Sequence, residues 1–177
     1  ILSVFSEYLS DIDFVQVFGN HEYEGNTDGR FPETVNFTPG SDYYSVTYGN
    51  VYVAVINCYM ESDMKEAVEW IRADAAKSDA TWKILTLHRP PYYTNVIGGS
   101  ENSHALLPAL VDEADFDVVF SGHDHSFART EPLTGGEVDP EHGAVYYIVG
   151  AAEKGGKYEI TDDPSFHFAK VSGDFNA

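Results

Sequence analysis

Three strand-like runs in this chain stop abruptly at histidine: QVFGNHE at 16–22, KILTLHRPPYY at 83–93 and VVFSGHDHSF at 118–127. Each is an apolar stretch of the length of a buried strand, closed by polar residues, glycine or proline. In an open α/β sheet the loops leaving the carboxyl ends of the strands line one ligand crevice. Runs far apart in sequence therefore deliver their terminal side chains to one place if the strands lie side by side, and a fold that does this is the main constraint the sequence imposes.

The intervening segments fit such a sheet. Phe14 to Phe18 reads as a buried strand of about five residues. Gly49-Asn50 separates Ser45–Tyr48 from Val51–Asn57, the pattern of a hairpin, although Asn-Gly is the stronger order. Met64, Ala67, Val68 and Ile71 follow helical spacing, with Asp63 and Glu66 as a capping-box-like start. Trp82–Leu87 is the next strand, ended by Pro90-Pro91. A second helix is expected over His104–Glu113, with Pro108 either kinking it or sitting in its first turn. Asp117–Ser121, Ala144–Val149 and Phe166–Val171 read as further strands. Strands alternating with helices predict an α/β fold, and the hairpin makes the sheet mixed.

At 177 residues, 43% hydrophobic and 14% aromatic, the chain is expected to form one globular domain. Ten basic against 29 acidic residues leave a formal charge of −19, which repels polyanions and argues against general nucleic-acid binding. A phosphorylated small molecule held locally by cations is still compatible with that field. Cys58 is the single cysteine, so an intrachain disulfide is excluded. No apolar run approaches the roughly 18 residues of a membrane span. The chain opens at Ile1 on SVFSEYL, which reads as a helix end and predicts a piece of a longer protein.

The strand-end residues form a ligand set. In an extended segment His123 and His125 project to the same side, about 6.6 Å apart along the chain, a spacing that serves one ion or two. An HxH pair alone is equally a hydrogen-bonded loop feature. His88 and the Asn20 amide oxygen add to it, and imidazole with amide oxygen suits zinc, iron or manganese rather than calcium or a thiolate centre. Gly122 is expected to let the backbone turn close to the ion. His21, adjacent to Asn20, projects elsewhere and suits a proton donor or phosphate contact. His104, His142 and His167 read as surface or helix residues, and Tyr43, Tyr44, Tyr92 and Tyr93 as core or pocket-wall aromatics.

Gly19-Asn20-His21-Glu22, then His88 before Pro90-Pro91-Tyr92, then Gly122-His123-Asp124-His125, in that order, resemble the second half of the calcineurin-like metallophosphoesterases. The Tyr-Gly-Asn hairpin, Trp82-Lys83 and the His-Ser-Phe-Ala-Arg that ends at Arg129 are similar to purple acid phosphatases in particular. The resemblance implies a partial four-layer sandwich of mixed sheets flanked by helices, with residues 1–177 as a single partial domain lacking its N-terminal strands. It implies Asn20, His88 and His123 as ligands of the second metal, His125 as a ligand of the first, and His21 as the catalytic histidine that contacts phosphate. It also implies two Fe, Zn or Mn ions in the parent that activate water and neutralise charge at phosphorus. Arg89 or Arg129 would assist at the rim unless engaged in an ordinary salt bridge. The implied substrate is a phosphorylated small molecule or other phosphoester, and the family leans towards locations outside the cytoplasm.

The family's earlier aspartate motifs, one of which bridges the two metals, have no counterpart before Gly19. Two dications without an anion between them repel strongly, so this chain is expected to hold at most one metal and to show little or no phosphatase activity alone. An exposed sheet edge is expected to pair in a homo-oligomer. The rival expectation is a non-catalytic metal-binding or scaffolding domain that retains the fold.

Overall fold

The computed structural model describes residues 15–20, 42–57, 61–95, 100–150, 160–161 and 163–173. Within them, seven strands form one mixed sheet. They are β1 (Tyr43–Tyr48), β2 (Val51–Ile56), β3 (Trp82–Leu87), β4 (Val118–Ser121), β5 (Phe127–Thr130), β8 (Val145–Val149) and β9 (Phe168–Ser172), in the order β1-β2-β3-β4-β8-β5-β9. β2, β3, β4 and β8 run parallel, while β1 and β5 are antiparallel to their neighbours. A small hairpin, β6 (Leu133–Thr134) and β7 (Glu137–Val138), stands apart.

The parallel strands are joined by two helices, α1 (Glu61–Ala75) between β2 and β3 and α2 (Glu101–Glu113) between β3 and β4. Met64, Ala67, Val68, Ile71 and Ala75 make the buried stripe of α1, and Leu107, Leu110 and Val111 that of α2. They cover the sheet face formed by Tyr52, Ala54, Ile56, Leu85, Leu87, Val119 and Tyr146, all in one apolar cluster. An exposed ion pair, Arg72 Nε to Glu113 Oε2 at 2.6 Å, also ties the helices together. Such a pair contributes up to about 1 kcal/mol, against about 1.5–3 kcal/mol for each fully buried aliphatic side chain. Apolar packing therefore sets how the helices dock.

Several expectations shift. The helix α1 begins at Glu61, two residues before the expected Asp63 start. α2 begins at Glu101, capped by the Ser100 hydroxyl accepting from Ser103 N at 3.2 Å, which leaves Pro108 inside the helix rather than in its first turn. The expected strand over Phe14 to Phe18 is corrected: residues 15–18 belong to no strand, and no strand among the described residues pairs with them. Side chains do so instead. The Tyr44 hydroxyl accepts from Gln16 N at 3.0 Å and donates to Gln16 O at 2.8 Å. Gly49-Asn50 proves well ordered for its turn. Tyr48 pairs with Val51, Gly49 has φ +59° and Asn50 is not left-handed, the glycine-first pattern of a type II′ hairpin.

Burial pushes the Tyr92 hydroxyl up to about 12 from 10.0, and raises those of Tyr52 and Tyr146 as well. A phenol that keeps its proton longer when folded gives stability fully present below its unfolded value. That stability is lost as the unfolded chain ionises, between pH 10 and about 12 for Tyr92. The urea midpoint is expected to fall across this window, and less steeply in Tyr92→Phe. An identical slope in the variant would remove the tyrosine as the cause.

Candidate metal centre

The strand register brings the site together. Ile56 is level with Leu87, and Thr86 with Phe120, so β2, β3 and β4 end at nearly the same height. Beyond the ladder, Gly122 N still donates to His88 O at 3.0 Å. His88 follows β3 directly and His123 follows β4 by two residues.

Asn20 arrives differently. Asn57, at the end of β2 and 1% exposed, accepts through Oδ1 from Phe18 N at 2.7 Å. Its own N–H donates to Asp42 O at 2.6 Å. This buried amide thus ties Phe18, two residues before Asn20, to the end of β2. Sequence reasoning passed over Asn57, although a polar residue closing the apolar run VYVAVI was the signal for it.

The side chains of Asn20, His88 and His123 meet in a triangle. His88 Nε2 lies 2.9 Å from Asn20 Oδ1 and 3.0 Å from His123 Nδ1, and His123 Nδ1 lies 3.0 Å from Asn20 Oδ1. The two rings pack edge to face, with centroids 4.8 Å apart. An amide oxygen carries no proton and each neutral imidazole nitrogen at most one. Three mutual contacts therefore exceed the protons available, and converging lone pairs of this kind fit a cation. Ligand atoms about 2.0–2.2 Å from one first-row ion, at right angles to each other, stand about 3 Å apart, which the triangle matches. Among the described residues no three His, Cys, Asp or Glu side chains gather in this way. The set depends on the amide.

Gly19 makes room for the set. A Cβ there would lie 2.5 Å from His88 Cε1 and 2.6–2.7 Å from its ring nitrogens. Gly122, expected to make the turn, lacks that role: a Cβ on it would meet His88 Nδ1 only at 3.7 Å, and the left-handed residue is His123, with φ +63°. The extended His123-Asp124-His125 segment is likewise corrected. Residues 123–126 are bends, and Asp124 N donates back to Gly122 O at 2.7 Å around His123. His125 is half-buried. His21 lies outside the described residues. His104 is set apart, its Nδ1 on Pro91 O at 3.0 Å and its ring against Tyr92 and Phe166.

No helix among the described residues is long and apolar enough to cross a membrane. The chain is 29% identical over 147 residues to purple acid phosphatase 22 of Arabidopsis thaliana, covering 79% of this chain and 34% of that protein. It is 26% identical over 174 residues to purple acid phosphatase 15 of the same plant, covering 88% and 32%. The fold superposes on the purple acid phosphatase PPD1 of yellow lupin, Lupinus luteus, with a TM-score of 0.76 at 19% identity, over 93% of this chain and 35% of that one. The chain thus spans about a third of the length of these relatives. The calcineurin-like phosphoesterase family model matches residues 2–127, and since that span takes in Asn20, His88 and His123 and most of the chain, the protein belongs to the calcineurin-like phosphoesterase family.

Proposed function

We propose that these residues form part of the metal centre of a phosphoester hydrolase, in which Asn20, His88 and His123 hold one cation and His125 contributes to the site of a second. The reading rests on the triangle of 2.9–3.0 Å contacts among an amide oxygen and two imidazole nitrogens. Iron, zinc or manganese suits these donors. A cation held there supplies Lewis-acid neutralisation of charge developing on phosphoryl oxygens. The chain's own contribution is geometric and protic. Asn57 and Gly19 keep Asn20 and His88 in register, and His21, beside Asn20, is the proton donor to the leaving group. A phosphorylated small molecule or similar ester suits a chain of charge −19 better than a long polyanion does.

The dinuclear centre belongs, on this reading, to the longer protein. Residues 1–177 are one partial domain, hold at most one cation and turn over little substrate unaided. The sheet edge pairs with another copy. A chromogenic phosphate ester should be hydrolysed by the full-length protein supplied with manganese or with iron and zinc, and His123→Ala should abolish most of that turnover. Turnover indifferent to His123→Ala, or none in the parent, would favour a non-catalytic scaffold.

Binding by the chain itself is testable separately. Calorimetric titration with Mn²⁺ or Zn²⁺ is expected to give at most one equivalent, weakened at least about tenfold by His88→Ala and by Gly19→Ala, with circular dichroism unchanged. Wild-type affinity in Gly19→Ala would show that the ring does not need its place. Because His123 is left-handed, His123→Gly should raise unfolding free energy by about 1 kcal/mol while metal binding falls. Destabilisation by that glycine would contradict the backbone account.

A further inference from the structure

Asp124, the residue between the two histidines, is 0% exposed, a carboxylate wholly inside the protein. Its Oδ2 accepts from Thr94 N at 2.6 Å and from Thr94 Oγ1 at 2.8 Å, and its Oδ1 accepts from Asn95 Nδ2 at 2.6 Å. Thr94 and Asn95 are themselves 1% and 4% exposed. They lie on the segment that follows β3 from His88, so the carboxylate binds the loop after β3 to the loop after β4. Ser126 Oγ joins Thr94 Oγ1 at 2.9 Å, and Thr94 O accepts from Thr161 N at 2.6 Å and Thr161 Oγ1 at 3.0 Å.

The backbone of Asp124 is equally committed. Its N–H donates to Gly122 O and its C=O accepts from Ser126 N, both at 2.7 Å. Each bond closes a three-residue turn, one centred on His123 and the next on His125. The first has a central φ of +63°, the rare and strained form of the γ-turn. His125 is not left-handed, which gives the second turn the common form. Strained backbone persists only where its surroundings over-determine it.

Burying a carboxylate is a poor way to gain stability, because an apolar residue of similar volume does as well or better. What the carboxylate supplies is direction: donors that must be met at fixed angles hold the shared residue of two turns, and so the imidazoles on either side.

We propose that Asp124 is a positioning residue, whose side-chain hydrogen bonds to Thr94 and Asn95 set the orientation of His123, and of His125, towards the metal. The inference rests on the reading of His123 as a ligand, and it deepens that reading by naming what holds the ligand. An amide in place of the carboxylate preserves the geometry, because its oxygen accepts from both Thr94 donors while the Asn95 amide rotates to accept from its nitrogen. Alanine keeps the backbone bonds that close the two turns but loses every bond to Thr94 and Asn95.

The test has two arms on the 177-residue chain. In metal-free protein, nuclear Overhauser contacts between the His88 and His123 rings are expected to disappear in Asp124→Ala and to persist in Asp124→Asn. In titrations with Zn²⁺, Asp124→Ala is expected to raise Kd by about 10–100-fold, and Asp124→Asn by less than about threefold on the same scale. Should Asp124→Ala fail to fold, Thr94→Val and Asn95→Ala each remove a donor and are expected to give smaller losses in both arms. Retained ring contacts with wild-type Zn²⁺ affinity in Asp124→Ala would overturn the proposal, as would an Asp124→Asn variant as defective as the alanine. A wild-type chain that binds no Zn²⁺ would instead remove the metal-centre reading, and the ring contacts would still decide whether Asp124 sets the histidine.

Discussion

The site depends on three parallel strands that stop together. With Ile56, Leu87 and Ser121 closing β2, β3 and β4 in register, the residues that follow are delivered to one rim, and their chemistry is decided by the first side chain or two beyond each strand. A one-residue slip between β3 and β4 would turn every side chain of one strand to the opposite face of the sheet. It would also carry His123 away from His88. The buried cluster of Leu85, Leu87, Val119 and Leu110 is therefore as much a condition of the site as the ligands are. It is what makes such a slip costly.

Asn57 extends this rim to a segment that has no strand of its own. Residues 15–18 lie outside the ladder, yet Phe18 N meets the Asn57 side chain and Gln16 meets the Tyr44 hydroxyl. Two side chains thus replace the backbone partners that a neighbouring strand would offer. Asn20 depends on this arrangement for its place beside the imidazoles. The calcineurin-like phosphoesterase family model, which runs over residues 2–127, covers the same stretch.

Much of this was legible in the sequence, and the limits have physical causes. Trp82–Leu87 was read to the residue because proline and a charge-rich loop bound it sharply. The buried stripe of α1 followed from spacing alone, as all four predicted positions are buried. The convergence of Asn20, His88 and His123 followed from the rule that polar residues gather at parallel strand ends. The backbone beyond the strands was not legible. An HxH triplet reads as extended because periodicity carries no information about a positive φ, and the left-handed conformation fell on His123 rather than on the neighbouring glycine. Asp124 was visible only as a spacer, since its partners Thr94 and Asn95 stand 30 and 29 residues away. Phe14 to Phe18 has the composition of a strand, but composition cannot say whether another strand lies alongside.

The paired turns at His123 and His125 share one residue, which spends its N–H on the first and its C=O on the second. Such a hinge is length-locked. Adding or deleting a residue between the histidines would leave one turn without its closing bond and point one imidazole away from the rim. The two closing bonds thus make the spacing of the histidines a mechanical constant of the loop.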